Sequence, residues 1–114
     1  MKKQTLIKIL QNGGATLTNK GIQKNYKKGY QVSFQDLHII NINNINEILE
    51  KVNTALNNAN KCDFVGIWVG SGLVYIDYSK RFLDLQNAID YGTAKKQISI
   101  FDWSTKKCIF LAEV

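Results

Sequence analysis

Phe64-Val65-Gly66-Ile67-Trp68-Val69-Gly70-Ser71-Gly72-Leu73-Val74-Tyr75-Ile76-Asp77-Tyr78 is the stretch on which the fold turns. Two apolar runs rich in β-branched and aromatic residues flank Gly70-Ser71-Gly72, a connection short enough to close a hairpin. Neither run alternates cleanly between apolar and polar residues, so both strands are expected to be covered on two faces. That places the hairpin in the middle of a sheet, with a helical layer on one side and partial cover on the other.

Working outward, residues 44–59 supply such a layer. Ile45, Ile48, Leu49, Val52, Ala55, Leu56 and Ala59 recur at the i, i+3, i+4 spacing of one helix face. Asn44 is expected to cap this helix, with Glu47 three residues on completing a capping box. A shorter helix is expected around Leu6, Ile7 and Leu10, closed by Asn12-Gly13-Gly14, and a third after Asp84, with Leu85, Ala88 and Ile89 facing inward and Gly92 at a close-packing point. Between them, Ala15–Thr18, Tyr30–Phe34 and His38–Ile42 read as strands, the last two separated by a turn at Asp36-Leu37. A final hairpin joins 97–103 to 107–112 through Ser104-Thr105-Lys106. The reading is a single α+β domain over residues 1–114, with a mainly antiparallel sheet of about five or six strands and two or three helices.

The chain has 114 residues, 45% hydrophobic and 21% charged, a composition that builds a core and argues against disorder. No apolar run approaches the roughly 20 residues of a membrane span, and Lys8 interrupts the stretch from Leu6 to Leu10 that follows the basic start. A soluble, cytoplasmic protein without a membrane partner is therefore expected. Cys62 and Cys108 are the only cysteines and His38 the only histidine, too few for a zinc site of the usual four ligands. Two reduced, partly buried thiols, no metal and no cofactor are the expectation.

Charge is divided unevenly. Seven lysines and no acid occur before Asp36, whereas from Asp36 onward eight basic residues meet nine carboxylates. Clustered lysines concentrate anions near one surface. Within the cluster, Lys20, Lys24, Tyr26, Lys27, Lys28 and Tyr30 interleave ammonium groups with phenol rings. This is the combination that neutralises phosphates and stacks on unpaired bases, so nucleic acid or an acidic host-protein surface is the expected partner. The segment holds no arginine, hence bidentate reading of guanine is not expected.

Two rival chemistries deserve naming. Asp77 and Asp102 are each expected to end an apolar strand beside an aromatic, and a pair converging across neighbouring strands would suit acid–base catalysis or a divalent cation. The competing role, favoured here, is that of turn and strand-end acceptors. His38 has no Ser or Cys near it in sequence, and Gly13-Gly14 and Gly70-Ser71-Gly72 lack the lysine and hydroxyl of a phosphate loop, so they read as turns.

Gly13-Gly14-Ala15-Thr16-Leu17, Gly29-Tyr30-Gln31-Val32-Ser33, Gly66-Ile67-Trp68-Val69, Val74-Tyr75-Ile76-Asp77-Tyr78-Ser79 and Ile98-Ser99-Ile100-Phe101-Asp102 together resemble a family of small uncharacterised proteins. Its members are carried by phages, plasmids and conjugative elements of Gram-positive bacteria. The resemblance implies a setting on a mobile genetic element and no particular reaction. With the charge division, it leads to a non-catalytic accessory protein that binds an anionic partner. The alternatives are an inhibitor or adaptor of a host defence system acting by protein contact, and an enzyme built on Asp77 and Asp102.

Overall fold

The computed structural model describes residues 1–114. Three α-helices are present: α1 (Lys3–Gln11), α2 (Ile45–Asn58) and α3 (Leu85–Ala94). The strands are β1 (Gly14–Thr18), β2 (Gln23–Lys24), β3 (Tyr30–Asn41), β4 (Phe64–Gly70), β5 (Leu73–Phe82), β6 (Ser99–Asp102) and β7 (Lys107–Phe110), and a 3₁₀ turn spans Leu111–Glu113. The strands hydrogen-bond in the order β2-β1-β4-β5-β3-β6-β7, antiparallel in the pairings β1 with β2 and β4, and β6 with β3 and β7. The α+β class and the antiparallel sheet are as read from the sequence, with one strand more than expected. The chain divides into two compact units, residues 1–24 with 36–78, and residues 25–35 with 79–114.

In the first unit, α1 and α2 pack with β1 and β4 around a core of Leu6, Leu17, Ile48, Val52, Val65, Ile67, Val74 and Ile76. The β4–β5 hairpin turns on Ser71 (φ 53°) and Gly72 (φ 76°), two successive left-handed residues whose twist suits a two-residue connection. Gly13 closes α1 with φ 89°. On that helix Leu6 and Ile9 are buried and Leu10 packs against the core, while Ile7 is 38% exposed, so Ile9 takes the inward place expected of Ile7. Asn44 makes no side-chain cap, because its ψ of 59° departs from the extended backbone that aims a capping oxygen at the first turn. It is held instead in the tight 41–44 turn, where its N–H donates to the Asn41 carbonyl at 2.9 Å.

The second unit packs α3 and the 3₁₀ turn on β6 around Val32, Ala88 and Ile100. Asp84 caps α3, its carboxylate accepting from the Asn87 N–H at 2.9 Å. Gly92 is the close-packing point expected: a Cβ there would lie 3.1 Å from both Ile100 Cγ2 and Leu111 Cδ1. Leu85, expected inside, is 41% exposed. The Asp36-Leu37 turn is absent, since β3 runs unbroken for twelve residues from Tyr30 to Asn41.

Candidate anion-binding surfaces

The six residues singled out as a binding segment divide between the units. Lys20 and Lys24 belong to the first unit, and Tyr26, Lys27, Lys28 and Tyr30 to the second. Recounted by unit, seven cations meet five acids in the first and eight meet four in the second. The second unit thus carries the larger positive excess, a distribution hidden when charge is counted along the chain.

In the first unit, Lys20 is exposed at the tip of a turn that Thr18 fixes. The Thr18 hydroxyl accepts from the N–H groups of Lys20 (3.3 Å) and Ile22 (3.2 Å), and Gly21 completes the turn with φ 79°. Lys24 is half-buried on β2, paired opposite Thr16.

In the second unit, the 25–29 loop is clamped by two cations distant in sequence. Arg81 lays its guanidinium over the Tyr26 ring, 3.8 Å from the centroid, and donates to the Lys28 carbonyl at 2.7 Å. Lys106 donates to Asn25 Oδ1 (2.6 Å) and to the Tyr26 carbonyl (2.9 Å), with its ammonium 4.5 Å from the centre of the Trp103 ring. Trp103 meets Tyr26 edge-to-face at 5.4 Å and donates from its indole nitrogen to Gln31 Oε1 at 3.0 Å, while Gln31 donates to the Ser79 hydroxyl at 2.8 Å. Gly29 is buried with φ 97°, and a Cβ there would lie 2.9 Å from the Phe82 carbonyl oxygen. The outcome is a loop held from both sides, with Lys27 and Lys28 exposed.

This geometry changes the part assigned to the tyrosines. One face of Tyr26 is covered by Arg81, and Tyr30 packs against the Val32–Ala88–Ile100 core, so both rings serve the architecture of the loop. The sequence reading missed Arg81, Lys106, Trp103 and Gln31. Only Arg81 carried a visible signal, as the single arginine beside fourteen lysines.

The two aspartates also resolve. Asp102 ends β6, and its Oδ1 accepts from the N–H (2.9 Å) and the hydroxyl (2.8 Å) of Ser104, the turn-acceptor role expected. The Ser104 hydroxyl, assisted by backbone donors and Thr105, holds the Asp102 carboxyl below the usual carboxylate range. A carboxylate with a depressed folded pKa stabilises above its unfolded pKa, and that stabilisation fades as pH falls through the folded value. Acid titration of wild type and Asp102→Asn, followed by thermal melting, is therefore expected to show the two stability curves converging below the carboxylate range. Asp77 does not end its strand as expected, because β5 continues to Phe82. Its carboxylate and the Trp68 indole nitrogen instead occupy the space above Gly66 that a side chain would fill. Strands β5 and β6 are not neighbours, since β3 lies between them in the sheet order.

Among the other titratable groups, burial first and then the Asp63 carboxylate push the Tyr78 phenol up, and its hydroxyl donates to the Ala55 carbonyl at 2.8 Å. Cys62 and Cys108 are free thiols, and both are exposed where partial burial was expected; His38 is exposed as well. No three His, Cys, Asp or Glu side chains lie together as a metal-holding group, and no helix is long and apolar enough to cross a membrane. No family model, curated protein or solved structure matches the chain.

Proposed function

We propose that this protein binds an anionic partner, with single-stranded nucleic acid as the leading class, through lysines of its N-terminal third. The observation that carries the reading is the clamped 25–29 loop. Arg81 and Lys106 are consumed in fixing its backbone, and Lys27 and Lys28 project from it into solvent on the unit with the larger positive excess. A pre-fixed loop loses little conformational entropy on binding, which favours a phosphate backbone whose own flexibility must already be reduced. Lys20 and Lys24 extend the same chemistry on the first unit. Recognition by lysine alone tracks charge and shape more than sequence. The role is that of a non-catalytic, cytoplasmic accessory protein of a mobile element, and an acidic host-protein surface is the other partner this chemistry suits.

Fluorescence anisotropy with labelled single strands over a range of salt concentrations tests this. Each lysine–phosphate contact contributes about −0.7 to the slope of log affinity against log salt, so Lys27→Gln with Lys28→Gln is expected to flatten the slope by about 1.4. Tyr26→Ala is expected to weaken binding through the loop it supports and to lower thermal stability in parallel. Absence of binding at low salt, where attraction is least screened, rejects nucleic acid and leaves the acidic protein surface.

A further inference from the structure

Strand β7 stands last in the strand order and pairs with β6 alone. Just beyond its end, the Leu111 N–H donates to the Ile98 carbonyl at 2.9 Å. With Ile100 opposite Ile109 and Asp102 opposite Lys107, the alternation of an antiparallel ladder makes Ile98–Leu111, Ile100–Ile109 and Asp102–Lys107 the hydrogen-bonded pairs. Cys108 and Phe110 fall between these pairs, so they turn their N–H and C=O groups away from β6. Both residues are exposed, Phe110 by 50%. Their side chains share the face opposite that of Ile109, which packs on the Val32–Ala88–Ile100 core. An edge with outward backbone groups and a half-exposed phenyl ring is a template for a further strand. At the other end of the strand order, β2 offers only two residues.

We infer that β7 pairs antiparallel with β7 of a second copy of this chain, about a two-fold axis through Ile109. In this register each Cys108 faces the partner's Phe110 and the pair exchanges both N–H···O bonds, so every outward group of the edge is used. The neighbouring two-fold registers fail. Opposing Cys108 with itself sets Phe110 against Lys106, whose φ of 59° takes it out of the strand. Opposing Phe110 with itself sets Cys108 against Ala112, which lies in the 3₁₀ turn. On the exposed face, the Phe110 ring comes beside the partner's Cys108 sulfur, a favourable sulfur–aromatic neighbour. Lys107 opens the strand and Glu113 follows it, both exposed, so inversion sets opposite charges together at each end, whereas parallel addition sets like against like. The same short strand thus supplies both halves of the contact. A four-residue edge buries less than the roughly 1,200 Å² of stable interfaces, so the dimer is a weak one. Lys27 and Lys28 take no part, and this inference stands or falls apart from the strand-binding reading.

Sedimentation equilibrium between about 10 μM and 1 mM protein tests the pairing, with the dissociation constant expected inside that range. Phe110→Pro removes an outward donor at a position whose φ of −81° already suits proline and whose N–H makes no bond to β6. It is expected to weaken association by about tenfold or more while thermal melting stays cooperative. Crosslinking locates the contact independently of that variant. In Cys62→Ser protein Cys108 is the one thiol left. Its two copies are then diagonal neighbours about 7–8 Å apart, within reach of a short bismaleimide and too far for a direct disulfide. A crosslinked dimer is expected from Cys62→Ser, and little of it once Phe110→Pro is added. A monomer at about 1 mM overturns the inference and leaves the edge to a foreign extended segment. It is equally overturned by association that Phe110→Pro leaves intact, or by a dimer that gives no Cys108 crosslink.

Discussion

Gly14→Ala is expected to destabilise the protein by roughly 3 kcal/mol or more, the sum of backbone strain and overpacking. Gly14 opens β1 with φ 136°, a conformation that side-chain-bearing residues rarely adopt. It sits opposite Trp68 in the β1–β4 register, and a Cβ would collide with the Ile67 carbonyl oxygen and lie 3.1 Å from Trp68 Cα. Both obstacles are backbone atoms of a central strand, which cannot swing aside as a flexible side chain would. The neighbouring glycine provides the control. Gly13 also has positive φ, at 89°, but nothing lies within 4 Å of the position its Cβ would take. Gly13→Asn, a residue that tolerates left-handed backbone, is expected to cost less than about 1 kcal/mol. Urea denaturation of the two variants side by side checks the contrast, and equal losses would show that the close β1–β4 approach is not what position 14 protects.

Ile48→Ala is expected to cost about 2–5 kcal/mol, with a smaller loss for Leu49→Ala. The stripe on α2 treats the two positions alike, but Ile48 is fully buried while Leu49 is partly exposed at the margin of the same cluster. Truncation at position 48 leaves a void walled by neighbours that cannot all close in, whereas solvent and mobile side chains fill the space left at position 49. Thermal and chemical denaturation both report the difference, and a larger loss at position 49 would mean that the face of α2 has been assigned wrongly.

The features legible from sequence were those written in local patterns. The β4–β5 hairpin, the α2 stripe, the Asp84 cap and the Asp102 turn all follow from residues within a few positions of one another. The missed features, the Asn44 cap apart, depend on partners far along the chain. Asp36 is exposed and a poor strand former, so Asp36-Leu37 suggested a turn, yet β3 passes through both residues. Asn44 has the right chemistry for a cap, and the preceding turn sets the wrong ψ. The binding segment showed its lysines and hid its clamp, because Arg81 and Trp103 meet Tyr26 only after folding. What looked like a stacking platform for bases is, at Tyr26, a seat for a guanidinium.

That seat bears on how the gene can drift. Codons for lysine, asparagine and isoleucine are rich in A and T, and the chain's fourteen lysines, twelve asparagines and fourteen isoleucines are what a coding sequence pulled in that direction tends to produce. At an exposed position an ammonium replaces a guanidinium at little cost. Position 81 is different, since covering a ring with a flat face while reaching the Lys28 carbonyl requires a planar, multiply donating group that lysine lacks. Arg81→Lys is therefore expected to loosen the 25–29 loop, although it keeps the charge.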